Sequence, residues 1–453
     1  MPIKQIIYWI FAQMTNTISI PQILKRLNIS ALNQMQLDTQ KALDTQKDVM
    51  VLSATGSGKT LAFLLPIISK LDKDLGKVQA LIIVPSRELA LQIEQVFRSL
   101  QSGFKATCMY GGHSTKTESL SLSETPSVII GTPGKITYHI KHENFDPSEV
   151  EFLILDEFDK SLELGFQVEM EMIIESLSKI KQKILTSATQ MEEIPDFARV
   201  NNLAMVNFLN QDSHTPDLDL KVLHTKSKDK LKLLMQVVSE HPEGPSLIFC
   251  NHREAAERVS DILWDKGLSN GIYHGGMDQP DREKALVKFR NGTHAVLVTT
   301  DLASRGLDIP DVQQVIHYQI PFTEESFTHR NGRTARMKAS GKAYLLLADD
   351  EYPPDYVKEP IQEITEIEDF KLFDASKWAT IYVAAGKKDK VNKIDVVGLL
   401  YKKANLQKED IGLIEVFDHM SYVAVNRKKA HQTIVAIKNE KIKGRKYKIG
   451  LDD

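Results

Sequence analysis

Between Ser53 and Thr60 the chain reads SATGSGKT, after an apolar run and before the helical stretch LAFLLPII. Gly56 and Gly58 let the backbone fold tightly, so that successive N–H groups point at phosphate oxygens. A helix starting near Lys59 adds its positive dipole end. Thr55, Gly56, Ser57 and Gly58 then form a phosphate cradle. Lys59 reaches the β- and γ-phosphates, and Thr60 can hold Mg²⁺. Ser53 stands where the usual pattern has Gly. Such a loop needs an acidic partner on a neighbouring strand. The apolar run Phe152–Leu155 ends in Asp156-Glu157-Phe158-Asp159. Asp156 can hold Mg²⁺ through water, and Glu157 can orient or deprotonate an attacking water. An acidic loop closing a strand is the bland alternative; beside the phosphate loop, the metal role is preferred. Hydrolysis also requires positive charge at the γ-phosphate. The stretch His329–Arg336 carries Arg330, Arg333 and Arg336. Such clusters are usually solvated helix surface. If these line a cleft, Arg333 and Arg336 are candidate arginine fingers, a device worth ~10³–10⁵ in rate.

Positioning these groups is the work of alternating strands and helices. Apolar, β-branched runs recur at 49–54, 80–85, 127–131, 151–155 and 183–186, and again at 246–250, 271–274, 295–299, 314–318 and 342–347. Continuous apolar strands separated by helices predict parallel sheets covered on both faces. Two such sets predict two doubly wound lobes, whose ligands bind beyond the carboxyl ends of the strands. The polar stretch 207–218 contains Pro216 and reads as the hinge.

Composition narrows the alternatives. With 453 residues, 42% hydrophobic and 26% charged, the chain predicts two to four domains with real cores. Its two cysteines, Cys108 and Cys250, exclude a disulfide scaffold and a cysteine-based zinc ribbon, and suit a reducing cytoplasm. No apolar run reaches the ~20 residues that span a bilayer. Residues 6–12 (IIYWIFA) are apolar, but no A-x-A-like site follows. Met14 is therefore read as the natural start and 1–13 as an ill-ordered extension. The net charge of −3 hides a split. Residues 378–453 hold 16 Lys+Arg and 9 Asp+Glu, a net of +7, leaving −10 on the remainder. A small basic unit on an acidic body suggests a polyanion-binding module.

The motifs, taken together, resemble the DEAD-box RNA helicases along nearly the whole chain. Gln36 lies where that family reads adenine. Pro85–Ala90 (PSRELA), Gly111-Gly112 and Thr132-Pro133-Gly134-Lys135 look like its RNA-contacting motifs, and Ser187-Ala188-Thr189 like its coupling motif. In the second half Leu247–Asn251, Gln279-x-x-Arg282, Thr300–Asp308 and His329–Arg336 follow in the family's order. The resemblance implies an α/β fold of two tandem RecA-like doubly wound parallel-sheet domains, ATP and Mg²⁺ as cofactors, and RNA-stimulated hydrolysis. It implies that Asp308 contacts the ribose, and that Asp159, Ser187, Thr189 and His329 couple nucleotide state to lobe closure. It places Pro85, Arg87, Gly111, Gly112, Thr132, Pro133, Gly134, Lys135, Phe249, Arg282 and Thr300 on the RNA path. Three positions depart from the pattern: Phe158 gives DEFD for DEAD, Ala335 replaces a Gly, and Asn33–Gln36 lacks the usual Thr-Pro. Phe158 is expected to affect coupling more than ATP binding.

The tail also resembles a known unit. Ile381–Ala385, GKKDKVNK, Asp395–Ala404, Ser421–Val425 and Lys441–Arg445 look like the RNA-binding domain of DbpA-type helicases, a small RRM-like α/β domain. That resemblance implies large-subunit ribosomal RNA in precursor particles as partner. Tyr422, like Tyr382, is a candidate for base stacking, while Lys387, Lys388, Lys443 and Arg445 are candidates for gripping phosphates. The expected divisions are an extension at 1–13, a first domain at 14–209, a hinge at 210–218, a second domain at 219–356, a linker at 357–377 and the RRM-like unit at 378–453. If 351–377 were fully flexible, its mean reach would be roughly 25–30 Å. The expected protein is a cytoplasmic, monomeric RNA helicase without membrane contact that remodels ribosomal RNA. An ATP-dependent RNA clamp with negligible turnover and a DNA helicase are the alternatives.

Overall fold

The computed structural model describes every residue except 1–19, 46, 55, 74, 113–117, 119–120, 192, 210–217, 240–243, 304–308, 310–311, 335–340, 365–375 and 453. The expected extension 1–13 and most of the expected hinge thus lie outside the described residues. The chain divides into two compact units near residue 214.

The first unit is built on seven parallel strands: β1 (Val49–Leu52), β2 (Ala80–Ile83), β3 (Ala106–Met109), β4 (Val128–Gly131), β5 (Phe152–Leu155), β6 (Gln182–Ser187) and β7 (Ala204–Asn207). Their order is β3-β4-β2-β5-β6-β1-β7. Side chains alternate across a strand, so Val49, Val51, Ile82, Ile130 and Ile154 join one apolar core. Met50, Leu52, Leu81, Ile83, Leu153 and Leu155 join the other. Burial on both faces is what the unbroken apolar runs require.

The second unit opens with β8 (Leu218–His224), β9 (Ser246–Phe249), β10 (Asn270–Tyr273), β11 (Val296–Thr299), β12 (Gln314–His317), β13 (Gly341–Leu347) and β14 (Ile361–Glu363). Their order, β10-β11-β9-β12-β13-β8-β14, repeats the first sheet strand for strand. The second lobe is therefore a topological copy of the first. The edge strand β14 pairs with β8 over Ile361–Glu363, and Val357 is buried, although both fall in the expected linker.

Behind them, β15 (Trp378–Val383), β16 (Ile411–Val416), β17 (Ser421–Asn426) and β20 (Ile449–Asp452) form a four-stranded sheet in the order β16-β17-β15-β20. A ribbon of β18 (Lys441–Ile442) and β19 (Arg445–Lys446) lies beside it. The helices Lys393–Ala404 and Arg427–Ile437 cover one face through Ile381, Val383, Val396, Leu400, Val423 and Val425. The chain thus folds as two RecA-like α/β lobes followed by a small α/β unit of RRM-like form.

The other face of the small sheet packs on the second lobe. Thr380 Oγ1 lies 2.8 Å from Asn291 Nδ2 and 2.8 Å from Thr293 Oγ1. Arg290 donates to both oxygens of Glu415 at 2.9 and 2.6 Å. Lys284 and Lys288 lie 2.7 and 3.2 Å from Asp452. Tyr382 and Tyr422 sit side by side in register on this same face. Tyr422 is buried, and burial beside Asp452, Glu283 and Asp281 pushes its hydroxyl up to about 12. The stacking role expected for Tyr422 does not fit that position, because the second lobe's helix Gln279–Arg290 covers the face it would use. The unit is docked rather than swinging on a free tether.

Candidate active site

Sheet order decides which loops meet. In the first lobe β5, β6 and β1 are neighbours, so the loops after them converge at one end of the sheet. These are the acidic tetrad, Ser187–Thr189 and the phosphate loop. Ser53 N–H donates to the Ser187 carbonyl at 3.1 Å, stitching two of them together. Gly56 and Gly58 have φ of 82° and 93°, the left-handed region that glycine enters without strain. At Gly58 a Cβ would lie 2.5 Å from Gln36 Nε2, so a side chain there would also push the Gln36 amide aside. The helix Lys59–Lys70 begins there with no side-chain cap, leaving its first N–H groups for a ligand. Lys59 Nζ rests on the carbonyls of Ser53 and Ala54 at 2.5 and 3.0 Å. Ser57 Oγ is buried without a partner among the described residues. Thr60 follows, half-buried. Left-handed glycines, an uncapped helix start, a coiled lysine and an orphaned hydroxyl fit a triphosphate. Thr55 lies outside the described residues.

The tetrad supplies the acids. Asp156 is buried, its N–H bonded to the Ile83 carbonyl at 2.9 Å and its carboxylate accepting from Thr186 Oγ1. Burial holds its carboxyl above the usual range, opposed by Thr186 and by Lys59. Nearby cationic charge offsets that penalty, which suits a cation ligand. Glu157 is left-handed at φ 49°, its N–H donating to Thr186 Oγ1 at 3.1 Å. Such a backbone in a non-glycine residue is a local strain of the kind held at working sites. Asp159 accepts from Thr189 Oγ1 at 2.9 Å, and Thr189 N–H donates to Ser187 Oγ at 3.0 Å. The tetrad and the coupling motif are thus one hydrogen-bonded assembly.

Phe158 fills a core position. Its side chain is fully buried in the lobe core, 6.1 Å from the ring of Phe197, and packs with Met170 and Ile173. It points away from the phosphate loop, because it opens the helix Phe158–Glu163 on the core side.

Gln36 is tied to the phosphate loop. It caps its own helix reciprocally with Asn33, at 2.9 Å in both directions, and donates to the Gly58 carbonyl at 3.2 Å. Asn33 Nδ2 donates to the Ser57 carbonyl at 2.9 Å. Asn33 was not singled out from sequence, although N-x-x-Q is a capping-box signal.

The remaining loops of the first lobe form a second group, since β3, β4 and β2 are also neighbours. Gly111 and Gly112 follow β3, Thr132 to Lys135 follow β4, and Pro85 and Arg87 follow β2. Arg87 lies over the Tyr110 ring at 4.6 Å. Pro133 opens the helix Pro133–Lys141, with Gly134 exposed. Lys135 Nζ lies 2.9 Å from buried Glu118, which also bonds His139 at 2.8 Å. The expected nucleotide loops and RNA loops therefore occupy adjacent halves of one sheet end.

The second lobe repeats this partition. Arg282 follows β10 and Thr300 follows β11, both half-buried. Phe249 ends β9 but is fully buried, stacked 6.4 Å from His317 under Arg330. Strand alternation turns it inward, so it does not line an RNA path. His329 is buried, 3.9 Å from Glu325, and Arg333 is buried just beyond the helix Glu324–Asn331. Arg330, passed over in the sequence, is the organiser. It donates to Asp301 at 2.5 and 3.2 Å, to Asn251 at 2.8 Å and to the Gln319 carbonyl at 3.0 Å. One guanidinium thereby fixes the loops after β9, β11 and β12. Asp308 and Arg336 lie outside the described residues. Of the tail's cations, Lys387, Lys388, Lys443 and Arg445 are exposed, Lys443 being 2.9 Å from Asp395.

Comparison with known proteins gives the family. Residues 33–197 match the DEAD/DEAH box helicase family, 229–338 the helicase conserved C-terminal domain, and 380–450 the DbpA RNA binding domain. The chain is 32% identical over 450 residues to the ATP-dependent RNA helicase DbpA of Escherichia coli, covering 97% of both chains. It is 30% identical over 458 residues to that of Bacillus subtilis, covering 94% of this chain and 96% of the relative. Among solved structures, Saccharomyces cerevisiae Dbp5 bound to RNA and ADP BeF3 shares the fold at a TM-score of 0.66 and 24% identity, covering 73% of this chain and 87% of that one. Mss116p bound to ssRNA and AMP-PNP aligns at 0.63 and 25% identity, covering 72% of each. The chain therefore belongs to the DEAD-box ATP-dependent RNA helicases and carries a C-terminal RNA-binding domain of the DbpA type.

Proposed function

We propose that the chain spends ATP to unwind short structured segments of large-subunit ribosomal RNA during ribosome assembly, acting as a cytoplasmic monomer. The observation that carries this reading is the pair of adjacent loop groups at one sheet end of the first lobe. Nucleotide state in the β5-β6-β1 loops can reach the β3-β4-β2 loops where β5 borders β2, Asp156 N–H bonding the Ile83 carbonyl, while Thr186 and Thr189 bond Asp156 and Asp159 and Ser187 bonds Thr189.

In this reading Lys59 leaves the Ser53 and Ala54 carbonyls for the phosphates. The cradle 55–58 holds the triphosphate and Gln36 monitors the loop from the adenine side. Thr60 and Asp156 hold Mg²⁺, and Glu157 orients the attacking water. When bound, MgATP supplies the transferable phosphoryl group and the cation that offsets its charge. Asp308, Arg333 and Arg336 complete the site from the second lobe. Asp159, Ser187, Thr189 and His329 report its state. Arg87, Gly112, Thr132, Gly134, Lys135, Arg282 and Thr300, with Pro85, Gly111 and Pro133 shaping their loops, track the RNA backbone, contacts that position without reading sequence. Specificity falls to the docked tail, whose exposed Lys387, Lys388, Lys443 and Arg445 suit phosphate contact.

Steady-state ATPase rates with a large-subunit ribosomal RNA fragment, an unrelated structured RNA of equal length and duplex DNA test the reading. Strongest stimulation by the ribosomal fragment is expected. Equal stimulation by both RNAs would remove the ribosomal assignment, and equal stimulation by DNA would favour a DNA helicase.

A further inference from the structure

We propose that Lys135, Tyr138 and His142 form a stacking rail for an unpaired RNA base. The inference rests on the function reading above, since it extends the RNA path from the loop after β4. The three residues stand at i, i+3 and i+7, which places them on one face of the helix Pro133–Lys141 and its C-cap. The Tyr138 and His142 rings are stacked, with centroids 4.0 Å apart and planes 27° from parallel. Both side chains are exposed, Tyr138 at 37%. Lys135 Nζ lies 5.3 Å from the Tyr138 centroid. It is held there by Glu118, 2% exposed and 2.9 Å away, so the cation is fixed beside the ring.

The His142 Nδ1 contact to the Tyr138 carbonyl at 2.7 Å caps the helix end and accounts for the imidazole. It does not account for an exposed phenol ring flat against it. Two stacked rings facing water, beginning one turn beyond a loop that the reading above assigns to the RNA backbone, have the form of a platform on which a base of the same strand can continue the stack. Lys135, placed on the RNA backbone above, keeps its pairing with Glu118, so what Tyr138 and His142 add is aromatic surface without charge. The ring pair therefore holds a base face rather than a phosphate, and its contribution is insensitive to salt.

Anisotropy of a labelled single-stranded oligoribonucleotide, titrated with the full chain at several salt concentrations, tests this. Tyr138→Ala is expected to weaken binding about five- to a hundredfold with an unchanged salt slope, while Tyr138→Phe binds like the original. An unchanged affinity in Tyr138→Ala, or a loss that comes with a shallower slope, would overturn the rail, since a lost phosphate contact lowers the slope by about one. As an independent readout, a 2-aminopurine in the oligonucleotide should be quenched by the original chain and less so by Tyr138→Ala; equal quenching by both also contradicts the rail. Failure of the original chain to bind RNA at all would instead defeat the function reading.

Discussion

Replacing Phe158 by alanine restores the usual DEAD tetrad, yet the structure predicts harm. The ring is fully buried, 6.1 Å from Phe197 and packed with Met170 and Ile173. Removing a buried phenylalanine forfeits its transfer energy and leaves a cavity, together about 3–5 kcal/mol. For a lobe of this size each kcal/mol lowers the unfolding midpoint by about 2–4 °C, so the transition of the first lobe should fall by about 6–20 °C. Scanning calorimetry of the full chain reads that transition. Phe158 also opens the helix that follows left-handed Glu157, so loosening it should lower turnover while leaving the KM for ATP nearly unchanged. A Phe158→Ala chain that melts where the original does and hydrolyses ATP faster would refute the reasoning, for it would mean that the ring obstructs the site.

Three further outcomes follow from other contacts. Asp156→Asn should abolish hydrolysis yet raise the first lobe's melting point. Burial lifts the Asp156 carboxyl, so its ionised form is a cost that grows as pH rises from the unfolded to the folded pKa and is constant above; unchanged or lower melting at pH 7 would contradict this. The Arg290–Glu415 pair is two-pronged and mostly buried. A double-mutant cycle with alanine should give a coupling of about 1–3 kcal/mol, and zero coupling would mean the tail is not held there. His294 is buried with both ring nitrogens unpartnered among the described residues, and burial with Lys288 and Arg427 lowers its pKa to about 3. Between about pH 6.5 and 3 the unfolded chain binds a proton that the folded site refuses. Stability should fall with acid over that window, and His294→Gln should reduce the protons taken up on unfolding at pH 5 by about one.

Much of the catalytic centre was legible because its signals are local. Strand, glycine loop and lysine lie within twelve residues, and strand alternation alone places the acids at a sheet end. The central strands were readable as unbroken apolar runs. β3, β7, β8 and β14 were not, since strands at or beside an edge are only part-buried and show mixed patterns; Ile361–Glu363 is exposed throughout. Phe249 was misplaced on the RNA path because a motif's position does not tell which way its aromatic side chain turns. The docking of the tail was invisible for a different reason. It is built from Arg290, Lys284 and Lys288 against Glu415 and Asp452, polar residues that in a sequence read as solvated surface. Arg330 was passed over as one of a cationic cluster, and only its three partners distinguish it.

The central claim is that the loop after β1 and the acids after β5 hydrolyse ATP under the control of RNA. Phosphate release from saturating MgATP, followed with and without a ribosomal RNA fragment for the original chain and for Glu157→Gln, tests it most directly. The account predicts a large RNA-dependent rise for the original chain, and in Glu157→Gln retained ATP and RNA binding with almost no release. Rates indifferent to RNA, or rapid release from Glu157→Gln, would contradict it.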